Sequence, residues 1–123
     1  MVTDSRGLAS RAARAAVSKQ ADAVMVLDVR DLITITDYFV IASGNSDRQV
    51  KAITEEIVRD LKQQGVRPAR VEGEAAARWV LLDFVDFVVH VFEEREREYY
   101  RLENLWVDAP VVPWREEAEV SSG

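Results

Sequence analysis

Two short, nearly unbroken apolar runs, at residues 24–29 and 38–42, constrain this chain more than any other feature. Both are rich in β-branched or aromatic residues and too short to be independent helices, so they read as strands. Neither alternates apolar with polar. Strands of that kind need cover on both faces, which points to a sheet flanked by helices.

The rest of the chain supplies the cover. Residues 3–21 read as a helix that Asp4 or Ser5 can cap, with alanines at 9, 12, 13, 15 and 16 and a stripe of Leu8, Ala12, Ala16 and Val17. Ser43-Gly44-Asn45-Ser46 is a turn. Ser46 with Gln49 forms a capping-box pattern opening a helix to about Gln64, with Val50, Ile53, Ile57 and Leu61 inward. Gly65 and Pro68 end it. Val71 and Glu72 make a short strand. Trp79–Asp83 and residues 87–92 read as an antiparallel hairpin. Residues 93–104 form a charged helix whose apolar members Tyr99 and Leu102, with Leu105 and Trp106 beyond, are expected to pack on the sheet. The fold class is therefore α/β, a single mixed sheet of about five strands flanked by helices. Strand order is not legible.

A chain of 123 residues with 48% hydrophobic and 31% charged residues suits one domain with one core. The expected division is a domain over 1–106 and an acidic, flexible tail over 107–123. The absence of cysteine excludes disulfides, thiolate metal sites and cysteine nucleophiles. No run approaches the ~20 apolar residues of a membrane helix. Residues 1–20 mix arginine with alanine and do not form a signal pattern, so a cytoplasmic location and no membrane partner are expected.

The net charge of −6 disfavours direct, sequence-specific nucleic-acid binding, which runs on Lys and Arg. The first twenty residues carry Arg6, Arg11, Arg14 and Lys19 against Asp4 alone, so the remainder is the more acidic. An acidic body suits a basic protein partner, or simply confers solubility.

Candidate chemistry is sparse. The turn containing Gly44 and Ser46 precedes a helix, where backbone N–H groups can hold phosphate, but the P-loop and dinucleotide patterns are absent. A nucleotidyltransferase-like site would need paired carboxylates on strands. Asp83 and Asp86 are the nearest, and they flank a turn. A structural turn is the better reading. His90, the single histidine, lies mid-strand on the same face as Val88 and Phe92 and reads as a packed core residue rather than a base or ligand. Trp79 shares a strand face with Leu81 and Asp83. It is either a core tryptophan or a protein-binding hot spot. No catalytic residue, metal site or cofactor is expected.

Several segments in order resemble the ribosomal silencing factor family, also called the Iojap family. They are Leu27-Asp28-Val29, Ile35 through Ile41, Ala42 through Ser46, Arg48-Gln49-Val50 with Ala52-Ile53, and Glu72-Gly73. Trp79 through Asp83, Asp86 with Val88 through Phe92, and Glu98-Tyr99-Tyr100 through Leu102-Glu103 to Leu105-Trp106 continue the series. The resemblance spans roughly residues 4–108. One departure stands out. Where the family carries a glycine between two hairpin aspartates, this chain reads Asp83-Phe84-Val85-Asp86. A β-branched valine does not accept positive φ cheaply, so the turn is expected to use another geometry or to shift.

The resemblance implies a nucleotidyltransferase-like fold that acts as a binding protein rather than an enzyme. Family members bind the large ribosomal subunit through ribosomal protein L fourteen, block joining of the small subunit and lower translation when nutrients are short. A homodimer is also implied. Residues offered for the ribosomal contact are Trp79 first, Tyr38 and Tyr99 behind it, and the carboxylates Glu72, Glu74, Asp83 and Asp86. The alternative is a nucleotidyltransferase-like nucleotide-binding enzyme using Gly44, Ser46 and Asp83 or Asp86.

Overall fold

The computed structural model describes residues 4–100 and 107–115, apart from the side chains of residues 98–100. The chain runs α1 (Ser5–Ser18), β1 (Asp22–Asp28), β2 (Tyr38–Gly44), α2 (Asp47–Lys62), β3 (Arg70–Glu72), β4 (Trp79–Asp83), β5 (Phe87–Glu93) and α3 (Glu94–Tyr100). The five strands form one sheet in the order β1-β2-β5-β4-β3. β2 and β5 pair parallel at its centre, and the remaining pairs are antiparallel. The α/β expectation of a single mixed sheet holds.

Burial explains the order. β2 is buried along its whole length because it lies between β1 and β5, with helices over one face. α1 packs on β1, β2 and α2, and α2 packs on β2 and β5, so both cover the same face. That face carries Val26, Val40, Ala42, Val80, Leu82, Phe87, Val89 and Val91 in one core with the inner residues of both helices. Arg11 ties the helices together through a forked pair with Asp60, at 2.8 and 3.3 Å. The alanine stripe lets α1 lie close to the sheet. Its buried face is Leu8, Ala9, Ala12, Ala13, Ala15 and Ala16, whereas Val17 is 38% exposed. The expected stripe was thus displaced by about one residue at its C-terminal end, as a 3.6-residue period requires.

α2 begins as its sequence dictates. The Ser46 hydroxyl accepts the Gln49 N–H at 3.1 Å. Gln49 Oε1 reaches back to the Asn45 N–H at 2.6 Å, one residue before the cap, and its amide group also donates to the carbonyls of Lys19 and Gln20. One side chain thereby joins the start of α2 to the end of α1.

The largest departure is in residues 107–115. The expected flexible tail is not what residues 109–114 form. Asp28 N–H donates to the Pro110 carbonyl and Val112 N–H to the Val26 carbonyl, both at 2.8 Å, so this segment lies along the free edge of β1. Ala109, Val112 and Trp114 are buried, and Arg14 donates to the Trp114 carbonyl at 2.9 Å. An open strand edge offers unpaired N–H and C=O groups, and this strap occupies them. The expectation that Tyr99, Leu102, Leu105 and Trp106 pack on the sheet falls on side chains outside the described residues.

Candidate functional site: the second face of the sheet

Strand register decides which side chains meet. Trp79 faces Phe92, Leu81 faces His90 and Asp83 faces Val88 across β4 and β5, while Ile41 lies beside His90 and Phe39 beside Val88. Because side chains alternate, all of these point away from α1 and α2. Phe39, Ile41 and Phe92, with Trp79 and Val88 packed against them, form a second, smaller cluster with Leu27, Val29 and Ala109. Among the described residues, α3 lies over part of this face. It packs on β5 and β2, and Arg97 reaches the Ser43 hydroxyl at 2.8 Å and the Ala23 carbonyl.

The β4 half is more open. Along β4, Val80 and Leu82 are buried on the helix face, whereas Trp79, Leu81 and Asp83 are half-buried. Val88 beside them is also half-buried. The Trp79 ring stacks on Phe92 at 4.9 Å, and its indole N–H donates to His90 Nδ1 at 3.1 Å. His90 stands edge-on to Phe39 at 5.1 Å. Burial pushes its imidazole down to about 4, so it is neutral near pH 7. Its Nε2 is buried without a hydrogen-bond partner among the described residues.

Gly73 supports this arrangement. Its φ is +82°, and a Cβ there would fall 2.1 Å from the Trp79 carbonyl oxygen, so only glycine lets the 73–78 loop approach the start of β4.

The expected contact residues separate into groups. Trp79, Asp83 and Glu72 share the open face, for Glu72 pairs with Leu81 across β3 and β4. Arg70 sits between the two carboxylates, 3.4 Å from Glu72 and 3.8 Å from Asp83. Glu74 instead lines a hollow against Lys51, Thr54 and Glu55 of α2, on the helix side. Tyr38 is only 2% exposed and belongs to the helix-face core, with the Arg30 guanidinium 5.5 Å over its ring. It offers no docking surface, because the period of two that exposes Phe39 to one face turns Tyr38 to the other. Asp86 is exposed in the β4–β5 turn, and the Tyr99 side chain lies outside the described residues. Leu81, Val88 and Arg70 belong to the face although they were not singled out. Alternation from Trp79 marks Leu81, but Val88 and Arg70 follow only from the register.

Gly44 and Ser46 do structural work. Ser46 is the helix cap, and a Cβ on Gly44 would press on Val50 at 3.1 Å. They also stand far from the hairpin carboxylates. Tyr38 pairs with Phe87 at one end of the β2–β5 ladder and Gly44 with Glu93 at the other. Seven residues of strand at ~3.3 Å each put roughly 20 Å between the two sets. A phosphate on the turn and a metal on Asp83 or Asp86 would not meet. Among the described residues, no group of three or more His, Asp or Glu side chains is placed to hold a metal ion.

A family model described as "Ribosomal silencing factor during starvation" matches residues 2–122. The chain belongs to the ribosomal silencing factor family. The match includes the strap, which the sequence resemblance had left out. A ribosomal silencing factor from Bacillus subtilis is 46% identical over 101 residues, covering 82% of this chain and 86% of that protein. The mouse protein named mitochondrial assembly of ribosomal large subunit protein 1 is 36% identical over 86 residues, covering 68% of this chain and 38% of that longer protein. A crystal structure of a Chromobacterium violaceum protein superposes with a TM-score of 0.82 at 33% identity, covering 85% of this chain and 87% of that one. A ribosome-associated silencing role and an effect on translation follow from the family. Among the described residues, no helix is long and apolar enough to cross a membrane.

Proposed function

We propose that this chain binds the large ribosomal subunit through ribosomal protein L fourteen and, by its bulk, keeps the small subunit from joining. Translation falls as a result when nutrients are short, and the protein acts in the cytoplasm. One observation carries the choice of surface: the β4 half of the second sheet face leaves Trp79, Leu81 and Val88 half-open beside Asp83, while their strand neighbours are buried. An apolar centre with a large aromatic side chain and a charged rim is the usual anatomy of a protein-binding patch. Carboxylates at the rim suit a basic ribosomal protein, and Trp79 supplies the anchor that desolvated charge pairs alone do not guarantee. The mouse relative's name refers to the ribosomal large subunit, which supports that subunit as the partner. A blocker of this kind needs affinity for one surface and bulk in the path of the other, and no reacting group.

The test is gradient sedimentation of purified bacterial subunits under associating conditions. With the protein present, it should travel with the large subunit and the joined particle should decrease. Trp79→Ala, checked for folding by circular dichroism, is expected to weaken binding to isolated large subunits by about 2 kcal/mol or more, roughly 30-fold. A folded variant with unchanged affinity removes Trp79, and with it this face, from the contact.

A further inference from the structure

Trp79 is not fixed by packing alone. Its ring is half-exposed at the first residue of β4, where the chain has just left a loop. Among the described residues, its ring stacks on Phe92 and its indole N–H donates to His90 Nδ1. A stack by itself does not fix a ring's rotation in its own plane, whereas a directed N–H···N bond does. His90 itself is held firmly. It sits in the middle of β5, between β2 and β4, 6% exposed, with Phe39 edge-on to its ring.

The arrangement has a cost. With Nδ1 accepting from Trp79, the neutral imidazole carries its proton on Nε2, and that N–H is buried with no acceptor among the described residues. An unsatisfied buried donor lowers stability, and an apolar side chain of similar size would remove the cost. A histidine that served only to fill the core would be a poor choice here.

We propose that His90 is a positioning residue for the docking face: its Nδ1 fixes the indole of Trp79 in the orientation presented to the partner. This rests on the reading of that face as the large-subunit contact. His90 does not touch the partner, because it is buried beneath the surface that Trp79 forms.

The experiment measures stability and large-subunit affinity together for His90→Leu, His90→Asn and Trp79→Ala. Leucine removes both the acceptor and the orphaned N–H. Asparagine returns an acceptor, Oδ1, to the place of Nδ1. His90→Leu is expected to be as stable as the parent or more so, yet to bind several-fold to tenfold more weakly through loss of one hydrogen bond's worth of orientation. His90→Asn is expected to recover most of that affinity. In nitrogen-15 spectra the Trp79 indole N–H resonance should stay protected from exchange in the parent and in His90→Asn, and lose protection in His90→Leu. If Trp79→Ala binds like the parent, the docking face is wrong. If Trp79→Ala is weak while His90→Leu binds like the parent, the positioning role is wrong and the face stands. Should His90→Leu not fold, His90→Asn decides alone: an indole resonance that exchanges like an exposed one overturns the role.

Discussion

Val85 stands at the tip of the β4–β5 turn with φ at +75° and 59% of its surface exposed. The Asp86 N–H donates across it to the Phe84 carbonyl at 2.9 Å, which closes a tight three-residue turn. The turn therefore keeps the positive φ that suits glycine and places a β-branched residue there, instead of changing geometry. The Asp83 carboxylate steadies the loop by accepting the Val85 N–H at 2.8 Å. Strain of this kind is worth ~1–3 kcal/mol, offset in part by the greater unfolded freedom of glycine. Val85→Gly is expected to stabilise the protein by about 1 kcal/mol in denaturant unfolding; a loss of stability would mean the turn is unstrained. His90 gives a second prediction at this scale. Its folded value near 4 lies below the usual 6.5 because burial disfavours the charged form. Below pH 6.5 the unfolded chain binds a proton that the folded chain refuses. Stability is therefore full above that value and falls as pH drops toward 4, by roughly 3 kcal/mol. Unfolding curves of the parent and His90→Asn between pH 7 and 4.5 should diverge on the acid side; parallel curves would refute the burial argument.

Among the elements, the strap at 109–114 changes most in meaning between chain and fold. Its prolines and the acidic residues beyond it read as a solvated end. Nothing local in the sequence says that Val112 and Trp114 find a strand edge and the flank of α1, some 85 to 100 residues away in the chain. Trp114 is 8% exposed and sits in the helix-face core. Trp114→Ala is expected to cost about 3 kcal/mol or more, the range for emptying a buried aromatic site. A silent substitution would restore the mobile tail. α2, by contrast, was legible from end to end, since Ser46, Gln49 and Gly65 act within a few residues of themselves. The β4–β5 hairpin was legible for the same reason.

For the whole molecule, the net charge of −6 sets the terms of docking. A basic partner is drawn to such a chain from a distance, and salt screens that attraction over about 8–10 Å at physiological strength. Affinity for large subunits is expected to fall several-fold between about 0.05 and 0.3 M monovalent salt, with Trp79→Ala shifting the curve downward at every salt. A salt-independent affinity would leave the apolar centre as the sole source of binding. The same geometry separates the Gly44–Ser46 turn from Asp83 and Asp86 by the length of the central strands, so the chain does not assemble a nucleotide site from them.

The sequence by itself determined most of the secondary elements, the α/β class, the inward face of α2 and the family, because each depends on periodicity, caps and motifs read over a few residues. It also placed Trp79, Leu81 and Asp83 on one strand face. Only the tertiary structure decided the strand order, that Tyr38 and Glu74 lie on the helix side, that His90 holds the Trp79 indole, and that residues 109–114 close the edge of β1. Those outcomes depend on the register between strands distant in sequence and on which surfaces other segments cover. Neither is encoded in local spacing.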